Sequence, residues 1–387
     1  MSDIPAPPYP LPPRGNPPSL PPPPRRSSGS VLGTFFALSL ILNIVFFVLL
    51  IVVCAGALII GSAGSATGSA LREKHYSGQT SASDKVAIVH VDGVILEGLI
   101  SFDEKQIATA AEDSAVKAVV LRINSPGGSI TASDDLYRRL SLLRTGDPDK
   151  GTPPKPLVVS MGALAASGGY YIAMPGQTIY AERTTLTGSI GVYAAFPNLK
   201  GLGDKYGVKV EVIKKGRVKD SGSMFHTMTP EERAVWQDMV DTAYAQFKAV
   251  VEEGRPALKG KLEDKVIDEQ RVVPGEDGKP EHIQFVRQLA DGGVFTADKA
   301  KEFKLIDDIG YLDDAVKEAA KIAGLGSNYE AISYRPPPTP MDLLLGENAN
   351  PPASALDPSQ LAKGLTPRLW YLAPQSELAG IMAAAGK

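Results

Sequence analysis

Between residues 31 and 71 no side chain is charged, and residues 31–60 are almost entirely Leu, Ile, Val, Phe, Ala and Gly. A helix rises 1.5 Å per residue, so ~20 apolar residues cross a ~30 Å hydrocarbon core. The run at 31–60 is therefore expected to be a transmembrane helix with room to tilt. Small residues at 61–70 resemble a signal cleavage site, but signal cores are only ~7–15 residues long, which favours an uncleaved anchor. Arg14, Arg25 and Arg26 precede the run, whereas Arg72 and Lys74 follow it with Glu73 between them. The basic asymmetry puts the N-terminus in the cytoplasm and the rest of the chain on the extracytoplasmic side of the cell membrane. The sole cysteine, Cys54, lies inside the run, which leaves no intramolecular disulfide.

Twelve of the 32 prolines fall in the first 24 residues. Residues 1–30 read as an extended, disordered cytoplasmic tail, a spacer or a ligand for a proline-reading domain. The 387-residue chain has room for two or three folded units. Its composition, 43% hydrophobic and 21% charged with net charge −3, excludes a wholly disordered chain and one that coats nucleic acid.

Past a linker at 61–84, β-branched runs alternate with amphipathic stretches. Strands are expected at 85–95, 118–124, 156–160, 178–181, 189–193 and 208–213, and helices at 104–112, 129–144, 167–174 and 230–251. Thr229 is the expected N-cap of the last of these, with Pro230 at its first position and Glu231 and Glu232 complementing the helix dipole. Alternation of this kind implies right-handed crossovers and an α/β fold with a parallel sheet.

Ligands of such sheets bind at the carboxyl ends of strands, where two junctions carry chemistry. In Ser125-Pro126-Gly127-Gly128-Ser129, paired glycines let backbone amides approach a bound carbonyl, although a plain turn with Ser129 as N-cap fits as well. In the stretch from Gly162 to Tyr171, small residues surround the hydroxyl of Ser167 at an expected helix start, where it could be a nucleophile or a cap. A nucleophilic serine needs a base within hydrogen-bond reach. None of His75, His90, His226 and His282 occupies a strand end or helix start downstream of Ser167. Lysine is the other base, and Lys214, Lys215 and Lys219 follow the expected strand at 208–213. Such a lysine must fall from ~10.4 to ~7–8, which costs about 3–4 kcal/mol and requires a dry site.

The segments LRINSPGGS (121–129), SMGALAASGGYYIAM (160–174), TGSIGV (187–192), KKGRVKD (214–220) and GGVFTADKAKEFKLIDDIG (292–310) resemble, in this order, the signal peptide peptidase SppA family. The resemblance covers residues 85–325 and implies the Clp protease/crotonase fold. It implies Ser167 as nucleophile, Lys219 as general base, the amides of Gly128 and Gly168 as oxyanion hole, and Ser189 as the hydroxyl orienting the lysine. Gly127 then belongs to the strand that binds substrate, and Asp220 should point away from Lys219, since a carboxylate contact would raise the lysine. Each signature occurs once, so the chain is of the single-repeat type, in which the resemblance implies a homo-oligomer with serine and lysine supplied by adjacent protomers. Peptides such as signal-peptide remnants are the implied substrates, with no cofactor, and no metal is expected because no clustered His, Cys or Asp/Glu ligand spacing occurs. A catalytically silent scaffold and a crotonase-type acyl-CoA enzyme are the alternatives.

Residues 256–284 read as a charged surface insertion. The tail at 326–387 is Pro- and Ala-rich and contains Arg368-Leu369-Trp370-Tyr371-Leu372, an apolar segment expected to pack on the oligomer or to occupy a peptide groove, with self-inhibition or self-processing as the consequence.

Overall fold

The computed structural model describes residues 71–275 and 278–336, the backbone of residues 369–372, and scattered positions between 36 and 47. The expected tail at 1–30, most of the expected span at 31–60 and the remainder of the C-terminal tail lie outside these residues. Among the described residues no helix is long and apolar enough to cross a membrane. The chain divides into the units Met1–Ser69 and Ala70–Lys387, and the fold below is that of the second.

Its main sheet runs in the order β1 (Arg72–Gly78), β13 (Glu330–Arg335), β2 (Lys85–Asp92), β3 (Val116–Ser125), β5 (Leu157–Ala166), β6 (Thr178–Ala181) and β12 (Asp308–Ile309). Strand β7 (Leu186–Gly188) joins the far end of β5, and β11 (Val294–Thr296) pairs with β7. From β13 to β12 the pairs are parallel, while β1 and β11 add antiparallel margins. The mixed α/β architecture with a mostly parallel sheet is thus the one expected.

The strands are continuously apolar because both faces of the sheet are covered. On β2, Ala87, Val89 and Val91 enter one core with Leu136, Met161 and Phe247, while Val86 and Ile88 enter a second core with Val316 and Ala319. The first core lies under the helices Ser101–Glu112, Ile130–Thr145 and Pro230–Gly254, and the second under the helix Leu312–Ile322. The long helix Pro230–Gly254 begins as expected: Thr229 and Glu232 form a reciprocal capping box behind Pro230.

Several elements depart from the sequence reading. Strand β1 falls where a linker was expected, and β13 lies inside the expected tail. Strand β1 is polar and exposed nearly throughout, as suits a sheet margin, so its sequence lacks an alternating signal. Strand β5 runs on to Ala166, six residues past the expected 160. Instead of a strand at 189–193, the left-handed Ser189 (φ 54) separates β7 from β8 (Tyr193–Ala194). Residues 208–213 are no strand, and Val208, Val210, Val212 and Ile213 are exposed, because no strand of the described residues pairs with them. The charged stretch within 256–284 folds mainly into a two-stranded ribbon, β9 (Lys265–Pro274) against β10 (Pro280–Gln288).

Candidate active site

Strand β5 delivers Ser167 to the sheet's carboxyl edge, directly before the short helix Gly168–Tyr171. The turn is sharp. Ser167 has φ 56 and ψ −118, a conformation that side chains rarely adopt, and it is 1% exposed. Its N–H donates to Gly188 O (2.8 Å), its C=O accepts from Tyr171 N (2.8 Å), and its hydroxyl makes no capping bond to the helix. The side chain is thereby left to other work while the backbone is fixed.

The short helix is anchored by its two tyrosines. Tyr170 is fully buried, donates to Leu305 O (2.7 Å), and has its phenol pushed far above its usual range by burial. Tyr171 donates to Asp134 Oδ1 (2.7 Å) and stands edge-on to Tyr137 and Phe247, each at 5.2 Å between centroids. A Cβ on Gly169 would lie 2.6 Å from Ser125 O, so only glycine lets this helix abut the end of β3.

At that end the chain turns into β4 (Gly127–Ser129). Ser125, fully buried, accepts the Gly127 N–H on Oγ (3.0 Å), so that amide is already engaged. Ile95 N donates to Gly127 O (2.9 Å) and Ser129 N to Ile95 O (2.8 Å). Because the groups of a strand alternate sides, the N–H and C=O of Gly128 face the opposite edge. A Cβ on Gly128 would sit 1.9 Å from Ile95 O. Ser129 does occupy the N-cap position of Ile130–Thr145, but its hydroxyl bonds Glu97 and not the helix amides.

Ser189, 3% exposed, lies next to the Gly188 carbonyl that holds Ser167; its N–H donates to Gly293 O (2.9 Å) and its Oγ to Gly292 O (2.9 Å). Ser167, Gly168, Gly127, Gly128 and Ser189 thus gather along one edge of the chain.

Lys219 does not join them. It is exposed in a turn whose N–H donates to Gly216 O (3.3 Å), with no hydrogen bond to Ser189. Its neighbour Asp220 is turned to Lys214, whose ammonium holds the carboxyl below its ordinary range. The turn is tied to Pro230–Gly254 by Trp236 Nε1, which donates to Ser221 Oγ (2.9 Å).

No clustered metal ligands were expected from the sequence, yet folding brings ligand atoms of Asp220, His226 and Glu232 within 4.8 Å of one another. All three are already engaged: Asp220 with Lys214, Glu232 in its capping box, and His226 with the carbonyls of Thr227 (3.0 Å) and Asp220 (3.2 Å). Ser125 was also missed as a structural part of the site. The Ser-Pro-Gly spacing, with a hydroxyl two residues before an amide, is the local signal that identifies such a turn.

Comparison with known proteins supplies the class. The model for "Peptidase family S49" matches residues 152–283 and 279–326. The "Putative protease slr0021" of Synechocystis is 33% identical over 263 residues, covering 68% of this chain and 83% of that protein. "Protease 4" of Salmonella typhi is 32% identical over 267 residues, 67% of this chain and 38% of its own length. "Serine protease SPPA, chloroplastic" of Arabidopsis thaliana is 30% identical over 330 residues, 80% of this chain and 43% of its own length. The chain therefore spans less than half the length of these last two relatives. The class to which the family model and the relatives assign the chain is the peptidases. Within it, the chain belongs to peptidase family S49, the signal peptide peptidase SppA family.

Proposed function

We propose that the chain is a serine endopeptidase in which Ser167 attacks the peptide carbonyl and Lys219 is the general base. The observation that carries this reading is the backbone of Ser167: φ 56 at a buried strand-to-helix turn, with a hydroxyl that caps nothing. Strain of this kind aims a side chain at a reacting atom. In the reaction, Ser167 Oγ bonds to the carbonyl carbon as Lys219 Nζ takes its proton. The amides of Gly128 and Gly168 hold the oxyanion. Collapse breaks the C–N bond as the lysine returns the proton to the leaving amine, and water releases the acyl group by the same route.

The base comes from a second copy of the chain. Lys219 is exposed, and directly before its turn lies the apolar strip of Val208, Val210, Val212 and Ile213, a surface suited to pairing with another protomer. Docking there would also dry the ammonium, as a neutral lysine base requires. Ser189 orients the incoming lysine. The substrates are extended peptides that add a strand to the Gly127–Ser129 edge, with remnant signal peptides as the physiological class, and residues 31–60 anchor the enzyme in the cell membrane with its catalytic unit outside the cytoplasm.

The test is hydrolysis of casein and short apolar peptides by the full chain and its variants. Ser167→Ala and Lys219→Ala should each lower kcat about 10³-fold or more. Mixing the two inactive variants should restore part of the activity. Full activity in either single variant would remove the assignment, and no recovery on mixing would put both residues to work within one protomer.

A further inference from the structure

The turn that carries Lys219 meets the start of the helix Pro230–Gly254 at Asp220, His226 and Glu232, whose ligand atoms lie within 4.8 Å of one another. Each of the three is held by the surrounding chain through one atom and turns a different atom to the others. Lys214 takes Oδ1 of Asp220, and the Thr229 N–H donates to Oε2 of Glu232 (2.8 Å). Nδ1 of His226 donates to Thr227 O (3.0 Å). The remaining oxygens, Asp220 Oδ2 and Glu232 Oε1, lie 3.6 Å and 3.8 Å from His226 Nε2.

We propose that Asp220, His226 and Glu232 form a binding site for a divalent transition-metal ion of the zinc class. Bonds of ~2.0–2.2 Å in a tetrahedral site put neighbouring ligand atoms about 3.4 Å apart, and both spacings from Nε2 lie near that value. The bond from Nδ1 to Thr227 O fixes the tautomer that leaves the Nε2 lone pair for the metal. Lys214 and the Thr229 amide orient the two carboxylates, as the outer partners of metal ligands do. One imidazole and two carboxylates suit Zn²⁺, whereas Ca²⁺ takes about six to eight oxygens and Mg²⁺ demands an octahedron of them.

Glu232 supplies an independent reason. Its side chain is 4% exposed, and among the described residues no lysine or arginine is paired with it. A carboxylate so buried needs a counter-charge, which the helix start provides only in part. An ion can reach it, because a cavity of about 610 Å³ lined by Ser223, His226, Thr227 and Trp236 opens beside the imidazole. Without the ion, an imidazolium fills the same place with Nε2 toward Asp220 O (3.2 Å); metal binding takes over that lone pair and releases the proton. The bound ion ties the turn, through Asp220 directly after Lys219, to the first turn of the helix. It does so whichever base serves Ser167, so the site stands apart from the peptidase reading.

The test is calorimetric titration of the full chain carrying Ser167→Ala with Zn²⁺ alone, at about pH 8, where ligand imidazoles are neutral. One ion per chain should bind with a dissociation constant on the order of 1 μM or tighter, and Mg²⁺ and Ca²⁺ should not compete. His226→Ala should weaken binding about 100-fold or more, and Asp220→Asn about tenfold or more. His282→Ala, on the exposed ribbon, should leave it unchanged. Equal melting temperatures in the absence of metal establish that the variants are folded. Zn²⁺ should also slow amide exchange in residues 214–226 of the parent and leave His226→Ala unaffected. Zn²⁺ affinity that is the same in the parent, His226→Ala and Asp220→Asn overturns the proposal, as does a parent that binds no Zn²⁺ or loses it with His282→Ala. Casein hydrolysis by the chain with Ser167 intact separates the two readings. An inactive chain that binds one Zn²⁺ removes the peptidase assignment and keeps the metal site, and an active chain that binds none does the reverse.

Discussion

Around Ser167, backbone groups are closely tied: its N–H to Gly188, its C=O to Tyr171, the Gly127 amide to Ser125 and the Ser189 amide to Gly293, all in buried surroundings. Around Lys219 the chain lies on the surface, follows an exposed apolar strip, and is held to the body by a few polar contacts to the helix Pro230–Gly254. The difference teaches where the precision of such a site originates. A nucleophile on an overdetermined strand end needs no partner to fix its geometry, whereas a base on an exposed turn acquires its position and its desolvation only when something packs over it. On the function proposed above, a lone protomer carries a finished acyl-binding half, and the proton-transfer half is completed by a second copy.

That contrast can be broken most severely at Gly128. A methyl group there meets Ile95 O at 1.9 Å. Gly128→Ala should therefore shift the β4 edge, lower peptidase activity about 100-fold or more, and cost about 1–3 kcal/mol in urea unfolding. Ile213→Asp attacks the other half. Ile213 is fully exposed, so the stability of the isolated protomer should stay within about 0.5 kcal/mol, while self-association and activity at micromolar protein fall roughly tenfold. Sedimentation read alongside the activity assay checks this; unchanged association would move the docking surface elsewhere.

A smaller effect belongs to Tyr171→Phe, which deletes the bond to Asp134. It should cost about 1–2 kcal/mol and lower kcat more than it changes KM, because the helix that presents the Gly168 amide loosens. The smallest concerns the turn that carries Lys219. Both ring nitrogens of His226 face carbonyl oxygens, of Thr227 and of Asp220, and only the imidazolium can donate to both. These bonds, Thr227 first, raise its pKa above the ordinary value, with the carboxylates of Glu232 and Asp220 adding to the effect. A histidine raised on folding stabilises fully below its unfolded value near ~6.5, and the contribution is lost as pH rises through the folded value. Amide exchange in residues 214–226 should therefore quicken between pH 6 and 8 beyond the intrinsic base-catalysed increase, and His226→Gln should remove that excess.

The parts of this molecule that were legible in its sequence are those with a short-range physical signature. The buried strands declared themselves by unbroken β-branched runs, the helix Pro230–Gly254 by Thr229, Pro230 and Glu232 at its start, and the strand-to-helix junction at Ser167 by the small residues crowded around it, because steric room, capping and solvent exclusion act over a few residues. The strip at 208–213 shows the limit of that signature: its alternation is that of a half-buried strand, but which surface buries it is not encoded within the strip itself. Only the tertiary structure decided that the polar β1 and the late β13 extend the sheet, that Ser125 holds the Gly127 amide while Gly128 faces the opposite edge, that Lys219 is exposed while Ser167 is buried, and that Leu369–Leu372 lies along the Gly128 edge. Each of these pairs groups distant in the chain or turns a backbone amide by the strand alternation around it, and such pairings are fixed by the register of the whole sheet, which no local stretch of residues contains.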